Sequence, residues 1–166
     1  MAIDYDNINI LIATPCYGGQ VYINYMIGII KLVTDLRELK INATVKPIGN
    51  ESLITRARNC LFSFFMNSEE NFSHILFIDA DIGFKTSDVI KLIESDKDLV
   101  GATYPHKNIF WNSFDKIIKK KGESVLKDPK LLESISNNYS VELVFTKNED
   151  GTLNLIHEQN LLKACY

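Results

Sequence analysis

The sequence predicts an α/β fold, a Rossmann-like and mostly parallel sheet flanked by helices. Three observations carry that expectation. Short β-branched apolar runs alternate with longer helix-periodic segments over the first hundred residues. The first run, "INILIAT", is apolar almost throughout, as a strand covered on both faces is. Polar and charged groups gather just after the strand ends, where open α/β sheets hold their ligands.

The elements follow in order. Ile8–Thr14 reads as the first strand, and the turn "PCYGG" ends it. The segment Tyr22–Leu39 places Tyr22, Met26, Ile29, Ile30 and Val33 on one helical face. Asn42–Ile48 reads as the second strand. A second helix follows, with Ser52 as its cap and Leu53, Ala57, Leu61, Phe64 and Phe65 at helical spacing. "SHILFIDAD" is the third strand, "TSDVIKLIESD" a short capped helix, and "DLVGATY" (Asp98–Tyr104) a fourth strand. Beyond it, Trp111–Lys121 reads as a helix stopped by Gly122, its last-turn lysines facing the negative dipole end. Pro129–Ser136 reads as another, opened by Asp128 and Pro129. "SVELVFTKNEDGTLNLI" carries the signature of a β-hairpin turning at Asp150-Gly151.

Bulk properties narrow the function classes. The chain's 166 residues suit one domain, and 46% hydrophobic with 23% charged residues suit a compact globule. A net charge of −3 disfavours a nucleic-acid surface. No apolar run reaches membrane-span length and residues 1–30 lack a signal-peptide pattern, so a cytoplasmic location is expected. The three cysteines form no CxxC pair and no disulfide frame.

The chemistry concentrates in "HILFIDADIGF". Asp79 and Asp81 stand at the carboxyl end of the third strand, and i, i+2 residues of a strand point to one side. Two close carboxylates repel unless a proton or cation lies between them. Mn²⁺ or Mg²⁺, completed by phosphate oxygens and water, resolves that conflict; two solvated loop charges are the plainer alternative. Haloacid-dehalogenase-type phosphatases carry hhhhDxDx(T/V), but Gly83 stands here in place of Thr or Val, and the motif is not on the first strand. Nucleotide-sugar transferases use such a pair to hold a metal on a diphosphate.

Three more stretches border the same rim. Thr14, Pro15 and Tyr17 end the first strand, and Tyr17 can stack on a nucleobase. Arg56 and Asn59 lie three apart on one face near the start of the second helix, with Arg58 pointing elsewhere. Arginines in the first turns of a helix suit a diphosphate. Tyr104, His106 and Lys107 leave the fourth strand.

"TPCYGG", "SLITRARN", "HILFIDADIGF" and "DLVGATYPHK", in that order and spacing, resemble the GT-A glycosyltransferases of large algal viruses and related bacterial and phage sequences. The subunits of yeast mannan polymerase are more distantly similar. The likeness covers residues 8–107 well and the hairpin region loosely. It implies a single GT-A-like domain, with 1–107 as the nucleotide-sugar-binding half and 108–166 as an incomplete acceptor-side part. It also implies a UDP- or GDP-sugar donor, a glycan or other hydroxyl acceptor, and Mn²⁺ or Mg²⁺. By the resemblance, Thr14, Pro15 and Tyr17 line the nucleoside pocket, and Arg56 holds the nucleotide with Arg58 and Asn59 in support. Asp81 is the main metal ligand, and Asp79 meets the ribose, or the metal through water. Ala80, Tyr104 and Lys107 complete the donor contacts.

The resemblance implies hexosyl transfer to a hydroxyl. Asp98 and Glu158 are candidate bases, and neither stands out. In such enzymes the strand at "LLKACY" continues into further acceptor-side elements, so a truncated domain with a tendency to self-associate is expected. The alternatives are a non-catalytic nucleotide-binding fragment and, behind it, a DxD phosphatase.

Overall fold

A central strand, β1 (Asn9–Cys16), organises the first hundred residues. The computed structural model describes residues 5–104 together with 114, 116–119, 122, 126, 127, 129, 145–147 and 153–155. The chain divides into two compact units, Met1–Val100 and Gly101–Tyr166.

In the first unit β1 pairs in parallel with β2 (Asn42–Gly49), from Asn9 opposite Asn42 to Cys16 opposite Gly49. On its other side it pairs in parallel with β3 (His74–Phe77), from Ile10 opposite His74 to Ala13 opposite Phe77. The spatial order is therefore β2-β1-β3. Chain progression reverses at the β1/β3 boundary, which is the switch point where α/β sheets open a crevice at their carboxyl ends.

Both faces of β1 are covered. Ile8, Ile10 and Ile12 join a cluster with Tyr25, Leu32 and Leu36 of α1 (Ile23–Glu38) and Val89 of α3 (Thr86–Glu94). Strand alternation turns Leu11 and Ala13 to the opposite face, and both are fully buried. Helix α2 (Ile54–Asn67) packs on β1 and buries Ala57 and Leu61. Each fully buried leucine or isoleucine contributes roughly 1.5–3 kcal/mol.

Helix α1 buries a different face from the one its periodicity predicts. Tyr25, Gly28, Leu32 and Leu36 face inward, with Ile29 and Val33 half-buried, while Tyr22, Met26 and Ile30 are exposed. The helix carries apolar residues on most of its circumference, so a 3.6-residue period fits more than one face. Close approach decides between them. A Cβ on Gly28 would sit 3.1 Å from Phe84 Cε1, so the helix reaches the core along the stripe that contains its glycine.

The cap expected at Ser52 does not form. Leu53 holds the N-cap position of α2 without a side-chain cap, and the Glu51 Oε1 accepts the Leu53 N–H at 3.0 Å. At α3 the Asp88 carboxylate reaches back to the Lys85 N–H at 3.1 Å.

Residues 98–104, expected as a fourth strand, form no ladder. Leu99 is 92% exposed, and Gly101 interrupts what would be the apolar run. Without a buried face, that short segment lacks the driving force that holds β1 in place.

In the second unit residues 116–119 are helical, and the Gly122 N–H bonds to the Ile118 carbonyl at 2.8 Å. Its φ of 77° is the left-handed stop that glycine tolerates. Strands β4 (Phe145–Lys147) and β5 (Leu153–Leu155) pair antiparallel, Phe145 opposite Leu155 and Lys147 opposite Leu153. Their turn, and nearly all of the helix expected at Pro129–Ser136, lie outside the described residues. Among the described residues no helix is long and apolar enough to cross a membrane.

Candidate functional site

A cleft of about 270 Å³ opens at the carboxyl rim of the parallel sheet. Pro15 and Tyr17 reach it from the end of β1, Asp79, Ala80 and Asp81 from the end of β3, and Glu51 from the segment after β2. Three successive strand ends therefore deliver side chains to one place.

Backbone bonding explains how the aspartates arrive. The β3 ladder stops at Phe77, and one more bond, Ile78 N–H to the Ala13 carbonyl at 3.1 Å, carries the chain to the rim. There it turns, with the Ile82 N–H bonded to the Asp79 carbonyl at 3.0 Å. The Ala80 carbonyl accepts the Tyr22 N–H at 2.9 Å and ties this turn to the start of α1. Asp79 and Asp81 thus share the cleft through a β-turn. Strand alternation, the predicted reason, does not apply beyond Phe77.

Arg58 projects from the second turn of α2 onto Asp79. Its Nη2 lies 3.0 Å from Oδ1 and 3.3 Å from Oδ2. The pair is part-exposed, with 43% of the arginine side chain and 30% of the aspartate accessible. The Arg58 Nε is buried with no hydrogen-bond partner.

Arg56 turns the other way. Its Nε and Nη2 grip Glu51 Oε2 and Oε1 at 2.6 and 2.7 Å. This fork, and next the Leu53 N–H, hold the Glu51 carboxyl below its ordinary pKa.

Thr14 and Cys16, which flank the cleft residue Pro15 in sequence, are both buried. Thr14 is fully buried, and its hydroxyl bonds to that of Tyr25, so its side chain supports the rim from below and does not line the cleft. Burial pushes the Tyr25 hydroxyl up in pKa, against a smaller downward pull from the Thr14 bond. Cys16 is buried, and desolvation raises its thiol, which donates weakly to the Gln20 carbonyl at 3.5 Å. It is a structural thiol, protonated at neutral pH. Tyr17 is 73% exposed and stands before Gly18 and Gly19, at φ 73° and 68°. Those left-handed values favour glycine.

The structure brings together Pro15, Tyr17, Asp79, Ala80 and Asp81 at the cleft, with Arg58 bonded to one of them. Asn59 is exposed on α2 and does not line it. Tyr104 belongs to the second unit, and His106 and Lys107 lie outside the described residues. Asp98 is exposed and not among the cleft residues, and Glu158 is outside the described residues. Glu51, Gln20 and Tyr22 line the cleft without having been singled out from the sequence. Glu51 was within reach of the rule used for the aspartates, since it follows β2 by two residues. A larger open groove of about 970 Å³ between α1 and α3 has Ile27, Phe84 and Ile90 on its walls and contains none of the predicted site residues.

The donor set bears on the expected metal. Among the described residues no three His, Cys, Asp or Glu side chains gather closely enough to hold a cation. Asp79 already has a guanidinium partner. These residues do not build an all-protein cage. They fit a hard divalent cation that takes one or two carboxylates and draws its other ligands from phosphate and water.

No protein-family model matches the chain, and no curated protein or solved structure matches it.

Proposed function

We propose that the chain is a metal-dependent glycosyltransferase of the GT-A type, moving a sugar from a nucleotide-diphosphate sugar to an acceptor hydroxyl. The observation that carries this reading is the shared cleft. Asp79, Ala80 and Asp81 meet Pro15 and Tyr17 at the switch point of a parallel sheet, with Arg58 of α2 bonded to Asp79.

In this reading Tyr17 offers its exposed face to the nucleobase. Asp79, oriented by Arg58, accepts hydrogen bonds from the ribose. Asp81 would hold Mn²⁺ or Mg²⁺, with the diphosphate and water supplying the other ligands. The cation, when bound, would neutralise the charge that develops on the diphosphate as its bond to the anomeric carbon breaks. The acceptor oxygen forms the new bond to the anomeric carbon, the electron pair of the breaking bond leaves with the nucleoside diphosphate, and the hydroxyl proton passes to that diphosphate or to water. A phosphatase reading requires Asp79 as nucleophile, and its engagement by Arg58 speaks against that.

Calorimetry with uridine and guanosine diphosphates, with and without Mn²⁺, tests the reading on wild type and Asp81→Asn. Binding that needs Mn²⁺ and falls at least tenfold in the variant is expected. Binding that is absent for both nucleotides, or indifferent to Mn²⁺ and to the substitution, overturns it.

A further inference from the structure

Glu51 puts a third carboxylate into the cleft, and its geometry is that of a bound anion. Both of its oxygens are engaged by one guanidinium: Oε2 by Arg56 Nε at 2.6 Å and Oε1 by Nη2 at 2.7 Å. Oε1 also accepts the Leu53 N–H at 3.0 Å, at the start of α2. An arginine fork together with a free N–H at a helix N-terminus is the donor set that recognises a phosphate group. Only 17% of the Glu51 side chain is accessible, against 63% for Arg56. The carboxylate is thus the seated partner, and the arginine is the one with room to move. Glu51 lines the cleft and Arg56 does not.

We propose that Glu51 is a built-in competitor for the cleft's anionic ligand, holding Arg56 by a carboxylate fork that a diphosphate-bearing ligand must displace. The inference rests on the glycosyltransferase reading for the class of ligand. On entry of a diphosphate, Arg56 exchanges one carboxylate for phosphate oxygens. The exchange swaps one fork for another and leaves the Glu51 carboxylate without its guanidinium, which is the penalty the ligand must overcome. Glu51 then discriminates against weak monoanions, which cannot match a carboxylate already in place.

The full chain is titrated calorimetrically with inorganic pyrophosphate and Mg²⁺, as wild type, Glu51→Gln, Arg56→Gln and the double variant. Glutamine keeps an acceptor for the Leu53 N–H and is isosteric, and equal melting temperatures verify folding. Glu51→Gln is expected to tighten pyrophosphate binding about five- to tenfold, since the neutral side chain no longer competes for the Arg56 fork. That gain disappears in the Arg56→Gln background, because there the released guanidinium is missing. Wild-type binding that Glu51→Gln leaves unchanged or weakens overturns the inference while sparing the functional reading. A gain of equal size with and without Arg56 also overturns it, since only removal of a repelling charge is then at work. Pyrophosphate binding to none of the four proteins overturns the inference together with the diphosphate reading.

Discussion

Arg58 and Asp79 join α2 to the end of β3 across the cleft rim, with Nη2 placed 3.0 Å from Oδ1 and 3.3 Å from Oδ2. The pair converts a carboxylate that would repel its neighbour Asp81 into half of an ion pair. It also fixes how the turn at 79–82 presents its side chains.

Arg58→Ala is expected to cost about 1 kcal/mol, discounted from a buried bridge because both side chains remain part-exposed. A cycle with Asp79→Ala, measured by urea denaturation, is expected to return a coupling of that size. The coupling shrinks when the ionic strength rises to about 1 M, where the screening length is only a few ångströms.

The buried hydroxyl pair of Thr14 and Tyr25 behaves differently, because water cannot replace a lost partner. Thr14→Val leaves the Tyr25 hydroxyl buried and unpaired, an expected loss of about 1–3 kcal/mol. Tyr25→Phe added to it recovers much of the loss. A double-mutant cycle that shows simple additivity contradicts this account.

Gly28→Ala tests the packing of α1. The new Cβ meets the Phe84 ring at 3.1 Å, so the substitution is expected to destabilise by about 1–2 kcal/mol despite alanine's higher helix propensity. In a Phe84→Leu background the clash is relieved, and Gly28→Ala becomes neutral or stabilising. Thermal unfolding of the four proteins reads this out.

The Glu51 carboxyl has its pKa lowered in the folded chain, first by the Arg56 side chain and then by the Leu53 N–H. A group whose folded pKa lies below its unfolded value contributes stability that is present above the unfolded pKa. That contribution is lost as pH falls through the folded one. An NMR titration is expected to place the Glu51 midpoint below its ordinary value in wild type. In Arg56→Gln the midpoint moves back towards that value.

Much of the sheet half was legible because strand patterns are short-range. β1, β2 and α1 appear within a residue or two of their expected bounds, while α2 opens at Ile54 without the expected Ser52 cap. What failed was whatever depends on a partner. The face of α1 needed Phe84, a residue 56 positions away from Gly28 in the chain, to select it. The segment at 98–104 has strand-forming residues, but a strand is stable only where an edge and a covering layer receive it.

By itself the sequence determined the alternation that makes an α/β sheet, the burial of β1 on both faces, and the clustering of Pro15, Tyr17, Asp79 and Asp81 at strand ends. Those features rest on residue type and local period. Tertiary structure alone decided the pairing of polar groups: Arg58 with Asp79, Arg56 with Glu51, and the hydroxyls of Thr14 and Tyr25 with each other. Spacing along a chain tells which way a side chain leaves its element. Which group it meets depends on how helices and strands cross, and that is set by the packing of residues far apart in sequence.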